Sequence, residues 1–396
     1  MNEKIAMGFH TCVDYELFWD TSVVEEQIKR LDIHDNELKL DIDILSERDI
    51  WLVSLAHLKE GIGCEVIPKT ETQSKSFAKH FEYKITLGGT ATRAAIAISR
   101  LGYPSLIQTS CYNEYVRKLL PDCIRAIPGV KDKEIVYPHI VLQCAGGVKI
   151  KANDIDFTTP KENRILISYD EDSLNLAVLE DEFGNEIREC EVFLLGSFTE
   201  ILDFDILKDR IKKTYKVLSY LPDKAIVVME DGCYTKEEFR KYIHSSLSDR
   251  IDILSMNEDE LQKYIGRRID IMDVDDVMNE IKYVYNKVGV KNIVVHSSAW
   301  VIAYGQSAKN LRPALDSGIT MSATRFRKGD DYNIDDYMHT KSISNKIESE
   351  EFCKKIEQKY RENTCCVPCK DLKFVSKPTV VGLGDSFAGG LLLGLL

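Results

Sequence analysis

From Lys224 onward the chain alternates between two hydrophobic patterns. "KAIVVMED" is a β-branched run that ends in acids, and "TKEEFRKYIHSSL" follows with helical spacing, with Thr235 and Glu238 forming a capping box. "IDILSMNEDEL" is another apolar run with a polar end. In "VDDVMNEIKYVYNKVG", Val277, Ile281, Val284 and Val288 recur on one helical face, and Gly289 marks the stop. "KNIVVHSS" is the next strand, and "AWVIAYG" returns beside it as a hairpin. Strands alternating with helices predict a parallel sheet covered on both faces.

Residues 40–190 are patterned differently. "CEVIP", "FEYKITLGG", "EIVYPHIVLQC", "GGVKIKANDIDFTT" and "RILISYD" alternate and are joined by short polar turns. They predict a mainly antiparallel sheet, inserted as a smaller lobe. One helix interrupts it, "TATRAAIAISRLG", with Ala91, Ala94, Ala95, Ile98 and Leu101 on one face and Thr90 as its cap. Residues 328–346 have little apolar periodicity and read as a mobile loop. No internal repeat is evident.

Composition narrows the function classes. The 396 residues are 44% hydrophobic and 29% charged, enough for a large core and more than one lobe. The net charge of -12 disfavours nucleic acid and anionic membrane as partners. "MNEKIAMGFHTCVDYE" has no long apolar segment of the signal-peptide kind, and "FAGGLLLGLL" is too short to span a bilayer. The 11 cysteines are odd in number and scattered, which predicts reduced thiols and a cytoplasmic protein. Cys365, Cys366 and Cys369 in "CCVPC" have no second pair and no nearby histidine, so they read as reduced loop cysteines rather than a zinc site.

In an open parallel sheet, ligands bind beyond the carboxyl ends of the strands. Those ends here carry Glu230 in "VVMED", Asn257 and Glu260 in "SMNEDEL", His296 in "VVHSS" and Asp385 in "VVGLGD". In "GLGD", Gly382 and Gly384 allow a tight turn that opens a helix, whose free N–H groups suit a phosphoryl group. Asp385 at the same helix start can accept a proton from an attacking hydroxyl. The uncharged "SFAGGLLLGLL" then lies in the core and holds the site rigid. On the tetrapeptide alone the bland alternative, an aspartate helix cap, is the better reading.

"VVGLGDSFAGG", "SMNEDEL" and "GFHTCVDYE" stand in the order and positions of the ribokinase-like sugar kinases. "SMNEDEL" followed by "VVHSS", with "GITMSATRF" and the "KPT" before the glycine turn, resembles the ADP-dependent phosphofructokinase/glucokinase branch. The resemblance implies a three-layer α/β sandwich with a mainly parallel sheet, plus a smaller β-rich lid lobe. It implies a large nucleotide-binding domain from residues 1–15, 89–130 and 190–396, and a sugar-binding lid from 16–88 and 131–189. Asp385 would be the base, and Gly382, Leu383 and Gly384 the anion hole. Glu230, Asn257 and Glu260 would organise magnesium, an oxygen-seeking ion that retains waters. Asn257, His296, Ser297, Val380, Gly382 and Gly384 would meet the nucleotide, ADP. Asp14, Gly88 and Gly89 would meet the sugar. The chain departs from the family pattern at Val228, where a histidine is expected, and at His10 and Cys12, where asparagines are expected.

Acceptor choice rests on two opposed features. A carboxylate at Glu65, early in a lid strand, would favour a neutral hexose such as glucose. Arg93 and Arg164 would suit a sugar phosphate such as fructose 6-phosphate. Two other readings are an ATP-dependent sugar or nucleoside kinase and a catalytically silent sugar or nucleotide sensor. A Rossmann dehydrogenase is disfavoured, because "LGGTATRAA" lacks the Gly-x-Gly-x-x-Gly spacing.

Overall fold

The computed structural model describes residues 3–129, 134–176, 179–196, 198–199, 201–232, 234, 236–376 and 378–396. The strands among them are β1 (Ile5–Gly8), β2 (Cys12–Leu17), β3 (Cys64–Val66), β4 (Tyr83–Gly88), β5 (Ser105–Thr109), β6 (Ile124–Pro128), β7 (Pro138–Cys144) and β8 (Lys149–Ala152). They continue with β9 (Ile155–Thr158), β10 (Asn163–Ile167), β11 (Val192–Leu195), β12 (Ile226–Glu230), β13 (Ile253–Asn257), β14 (Asn292–His296), β15 (Trp300–Gly305) and β16 (Thr364–Pro368).

A nine-stranded sheet runs in the order β16-β15-β14-β13-β12-β11-β1-β5-β6. It is parallel from β14 to β6, and β15 and β16 extend it antiparallel, β15 as the expected hairpin. The central strands are apolar throughout because both faces are covered. Val227, Met229, Leu254 and Val295 pack on one face beneath the helices Phe204–Leu218, Glu237–Leu247 and Val274–Val288. Val228, Ile253 and Val294 pack on the other beneath Thr90–Ser99, Arg312–Lys328 and Leu383–Leu393. The result is a three-layer α/β sandwich.

The smaller sheet runs β3-β10-β7-β2-β4. It is mixed rather than mainly antiparallel: β2 pairs parallel with β7 and β10 with β3, while β10–β7 and β2–β4 are antiparallel. β2 enters this sheet straight from β1, a strand of the other sheet. "GGVKIKANDIDFTT" stands apart as the hairpin β8–β9. Strand alternation divides the five-stranded sheet into two chemistries. Tyr15, Leu17, Ile140, Leu142, Ile165 and Ile167 join a core with Val24, Trp51, Leu55 and Phe77 from three helices. The opposite positions carry Asp14, Glu16, Lys84, Thr86, His139, Arg164 and Glu65.

Several expectations are corrected. The helix Glu47–Glu60 was not foreseen, because Ile50 to Leu58 are all buried and no one-sided stripe remains to betray a helix. Within 328–346 there is a helix, Ile334–Ser342, capped reciprocally by Asn333 and Asp336; only Tyr337 and Thr340 are buried, so its periodicity is faint. Thr90 does not cap its helix; Gly89 occupies that position without a side-chain cap. Thr235 lies outside the described residues, and the helix that follows starts at Glu237. Cys365 and Cys366 are buried in β16 rather than in a loop, and both are free thiols. No helix among the described residues is long and apolar enough to cross a membrane.

Candidate active site

The start of the Leu383–Leu393 helix is the centre of the site. Its cap position is Gly382 at φ 71°, a left-handed conformation that favours glycine, and no side chain caps the helix. The first intrahelical bond recorded there is Ser386 N–H to the Gly382 carbonyl, so the preceding N–H groups face outward. Asp385 stands in the first turn and does not cap. A Cβ at Gly382 would lie 3.1 Å from Arg93 Nη1 and 3.2 Å from Arg325 Nε. Two guanidinium groups therefore flank a helix N-terminus that is itself partly positive. Arg325 is held there by donating to the Val381 carbonyl at 2.8 Å and to Asp330 at 2.5 Å. Beyond Asp385 the helix carries no charge because it is wedged between two others: Cβ atoms at Gly389 and Gly390 would strike the carbonyls of Ala94 and Ser317.

Arg93 links this terminus to the small sheet. It donates to Asp14 at 2.5 Å and lies 3.4 Å from Glu16 and 4.0 Å from Asp385. Burial works against its charge, but Asp14, Asp385 and Glu16 more than offset that and keep it cationic. Glu16 also meets Lys84 at 2.9 Å and accepts from the Thr86 hydroxyl at 2.8 Å. Gly88 is where β4 makes room: a Cβ there would lie 2.3 Å from Asp14 Oδ1 and 2.6 Å from Cys12 Sγ. The Asp14 carboxylate thus fills the space beside the diglycine.

A second acid cluster lies at the ends of β12 and β13. Asn257 and Glu260 cap the Glu258–Ile265 helix reciprocally, each side chain accepting from the other's backbone at 2.8 Å. Burial, then the charges of Glu230 and Asp231, push the Glu260 carboxyl well above the usual carboxylate range. Asp231 accepts from Tyr264 Oη at 2.6 Å, yet its Oδ1 and Glu230 Oε2 are buried without a hydrogen-bond partner. His296 stands 3.5 Å from Glu230 and packs its ring on Phe387 with centroids 4.5 Å apart.

Beside the helix start is a cavity of about 470 Å³, lined by Glu258, His296, Ser297, Ile319, Phe326, Lys346, Leu383, Gly384 and Phe387 among others. Apolar walls with a few polar groups suit a ring system and its charged tail. Burial pushes the Glu258 carboxyl upward.

The structure brings Asp14, Arg93, Gly382, Leu383, Gly384 and Asp385 together, and His296 and Ser297 beside them in one cavity. Glu230, Asn257 and Glu260 form the adjoining cluster. Asp385 arrives from a loop, because among the described residues no strand leads directly into Gly382, so three strand ends converge rather than four. Val380 lies in that loop and does not line the cavity. Glu65 and Arg164 are exposed on the edge strand β3 and its neighbour β10, where Glu65 accepts from the Ser168 hydroxyl at 2.9 Å. Arg93 is engaged by carboxylates rather than free for an acceptor phosphate. The sequence reading missed Glu16, Asp231, Glu258, Arg325 and Lys346. The repeated acids of "MED" and "NEDE" signalled Asp231 and Glu258; nothing local signalled Arg325, whose partner Val381 is 56 residues away.

The fold is shared with ADP-dependent phosphofructokinases. A hypothetical ADP-dependent phosphofructokinase from Pyrococcus horikoshii OT3 superimposes with a TM-score of 0.78 at 17% identity, over 99% of this chain and 97% of that one. A phosphofructokinase from the same organism, determined with AMP, gives 0.77 at 16% identity over 99% and 97%. An ADP-dependent kinase in complex with fructose 6-phosphate and ADPβS gives 0.76 at 13% identity, over 100% of this chain and 94% of that one. No curated protein sequence matches the chain. The conserved region of the ADP-specific phosphofructokinases and glucokinases matches residues 3–393, and the chain belongs to that family of sugar kinases.

Proposed function

We propose that this protein transfers the β-phosphoryl group of ADP to a hydroxyl of a hexose or hexose phosphate, glucose or fructose 6-phosphate. The observation that carries this reading is the uncapped start of the Leu383–Leu393 helix, with Asp385 in its first turn and Arg93 and Arg325 on either side. Asp385 accepts the proton of the attacking hydroxyl. The N–H groups of Leu383, Gly384 and Asp385 and the two guanidinium groups stabilise the negative charge on the phosphoryl group in flight. The nucleotide occupies the cavity beside His296, Ser297 and Gly384. The polar face of the small sheet takes the sugar, with Asp14 held toward it by Arg93.

A magnesium ion fits the second acid cluster. Two buried carboxylate oxygens there lack partners, and the charges of Glu230 and Asp231 on Glu260 outweigh that of Lys263. Glu230 and Glu260 would hold it, largely through water; Asn257, tied into the helix cap, would act by orienting Glu260. When bound, the ion supplies charge neutralisation for the donor phosphates. The large domain is the nucleotide-binding unit in this reading, and the small one is the sugar-binding lid that excludes water.

A donor-by-acceptor matrix tests the reading: ADP or ATP against glucose and fructose 6-phosphate, with magnesium saturating. ADP turnover with a hexose acceptor supports it. ATP preference would move the chain to an ATP-dependent reading, and absence of turnover with every pair would leave the sensor reading.

A further inference from the structure

We propose that His10, Cys12, His139 and Asp170 form a binding site for a transition-metal ion of the zinc class, at the crossing between the two sheets. This goes beyond phosphoryl transfer and does not depend on it. Ligand atoms of His10, Cys12 and His139 lie within 4.8 Å of one another, and all three residues are buried. Asp170 Oδ2 lies 3.4 Å from His139 Nε2 and 3.9 Å from His10 Nε2. Bonds of about 2.0–2.1 Å to nitrogen and about 2.3 Å to sulfur in a tetrahedron separate ligand atoms by roughly 3.3–3.6 Å, so the three ligand atoms would draw together around the ion, and Asp170, which meets both histidines, would take the fourth position. His10 Nε2 is buried with no hydrogen-bond partner, as a nitrogen kept for an ion would be.

The donor set is also selective. Two imidazoles, a thiol and one carboxylate suit zinc or cobalt and not magnesium, which prefers oxygen alone. Asp170 is braced from behind: Oδ1 accepts from the backbone of Asp172 and Ser173 at 3.0 and 3.2 Å, and Oδ2 from the Ser173 hydroxyl at 2.9 Å. His10 lies between β1 of the large sheet and β2 of the small one, Cys12 opens β2, His139 lies on β7, and Asp170 follows β10. An ion here fastens the crossing to three strands of the small sheet. It also holds the strand that carries Asp14, whose carboxylate now receives the Cys12 thiol at 3.2 Å. Metal–sulfur bonding releases the thiol proton to solvent as the ion sheds waters; nothing is oxidised or reduced.

The test is titration of the chelator-treated full chain with Co²⁺ alone, read by absorbance. One equivalent is expected to bind, with a near-ultraviolet thiolate-to-cobalt band that Zn²⁺ then bleaches. Cys12→Ser should abolish that band, His10→Asn should weaken binding at least tenfold, and Cys369→Ser should change neither. Zn²⁺ should also raise the Tm of the unaltered protein by roughly 2 °C or more, a readout that needs no variant to fold. A band that survives in Cys12→Ser, a band lost instead in Cys369→Ser, or no saturable binding together with an unchanged Tm would overturn the site.

Discussion

Two clusters of acids flank the start of the Leu383–Leu393 helix, and they differ in who supplies the opposite charge. Asp14 and Glu16 are met by Arg93 and Lys84 from the chain itself. Among the described residues, Glu230, Asp231 and Glu260 form no ion pair with an arginine or lysine; His296 stands 3.5 Å from Glu230 and His244 3.6 Å from Asp231. A buried charge needs a partner. In the first cluster the partner is built in, so the carboxylates are fixed and oriented. In the second it is left out, which suits a cation that arrives with the nucleotide.

Asp385 belongs to neither cluster, and replacing it is the sharpest way to separate binding from chemistry. Asp385→Asn should lower kcat by roughly 10²–10⁴-fold, as loss of a general base does, while nucleotide and sugar binding stay nearly intact. Near-normal turnover in that variant would remove the base from the mechanism.

Arg93→Gln breaks the compensated cluster. Removing one partner of a buried pair strands the others, at a cost of about 3–5 kcal/mol. A double variant, Arg93→Gln with Asp14→Asn, should recover part of that loss, because the stranded charge goes with it. Urea unfolding midpoints of the original protein, both single variants and the double variant measure this; additive losses would show that Arg93 and Asp14 do not act as a pair.

The uncompensated cluster should respond in the opposite direction. Glu260→Gln keeps the reciprocal cap, since glutamine serves at that position as well, but removes a charge. The folded state raises the Glu260 pKa above its ordinary value of 4.5. Its contribution to stability is therefore full below that value and is lost as pH rises through the folded pKa. Without metal, the variant should lose less stability than the original protein as pH rises from about 5 to 8. Magnesium should narrow the difference by offsetting the charge in the original. Glu230→Gln should raise the magnesium concentration needed for half-maximal rate. Parallel Tm–pH curves and an unchanged magnesium requirement would sink the metal assignment.

What could be read from the sequence follows the same division. The parallel strands were legible because continuous β-branched runs fix them, and "GLGD" because the left-handed Gly382 and an uncapped helix start leave a local mark. The crossing at His10 was not legible: β2 follows β1 after three residues yet belongs to the other sheet, and no local pattern records which sheet a strand will join. The compensation of Asp14 was hidden for a related reason. Arg93 is 79 residues away and was read as a ligand for an acceptor phosphate, when the fold turns it onto Asp14.

Glu65 should show the smallest effect, and it asks how far the polar face of the small sheet extends as a sugar site. Register aligns Glu65 with Leu166, Val141 and Glu16 across the sheet, so it shares a face with the compensated cluster. It is also three strands from β2, roughly 14 Å at about 4.8 Å per strand. A sugar held at Asp14 would need to reach outward, or the edge to bend inward, for the two to meet. Glu65 is exposed and its hydrogen bond comes from Ser168, so its loss should leave the fold unharmed. If its charge reads the acceptor, it favours a neutral hexose and repels one that carries phosphate. Glu65→Ala should then lower kcat/KM for glucose by roughly threefold, the scale of one modest hydrogen bond, and leave fructose 6-phosphate nearly unchanged. Equal changes for both acceptors would confine the sugar site to β2 and β4, beside the carboxylates that Arg93 and Lys84 hold in place.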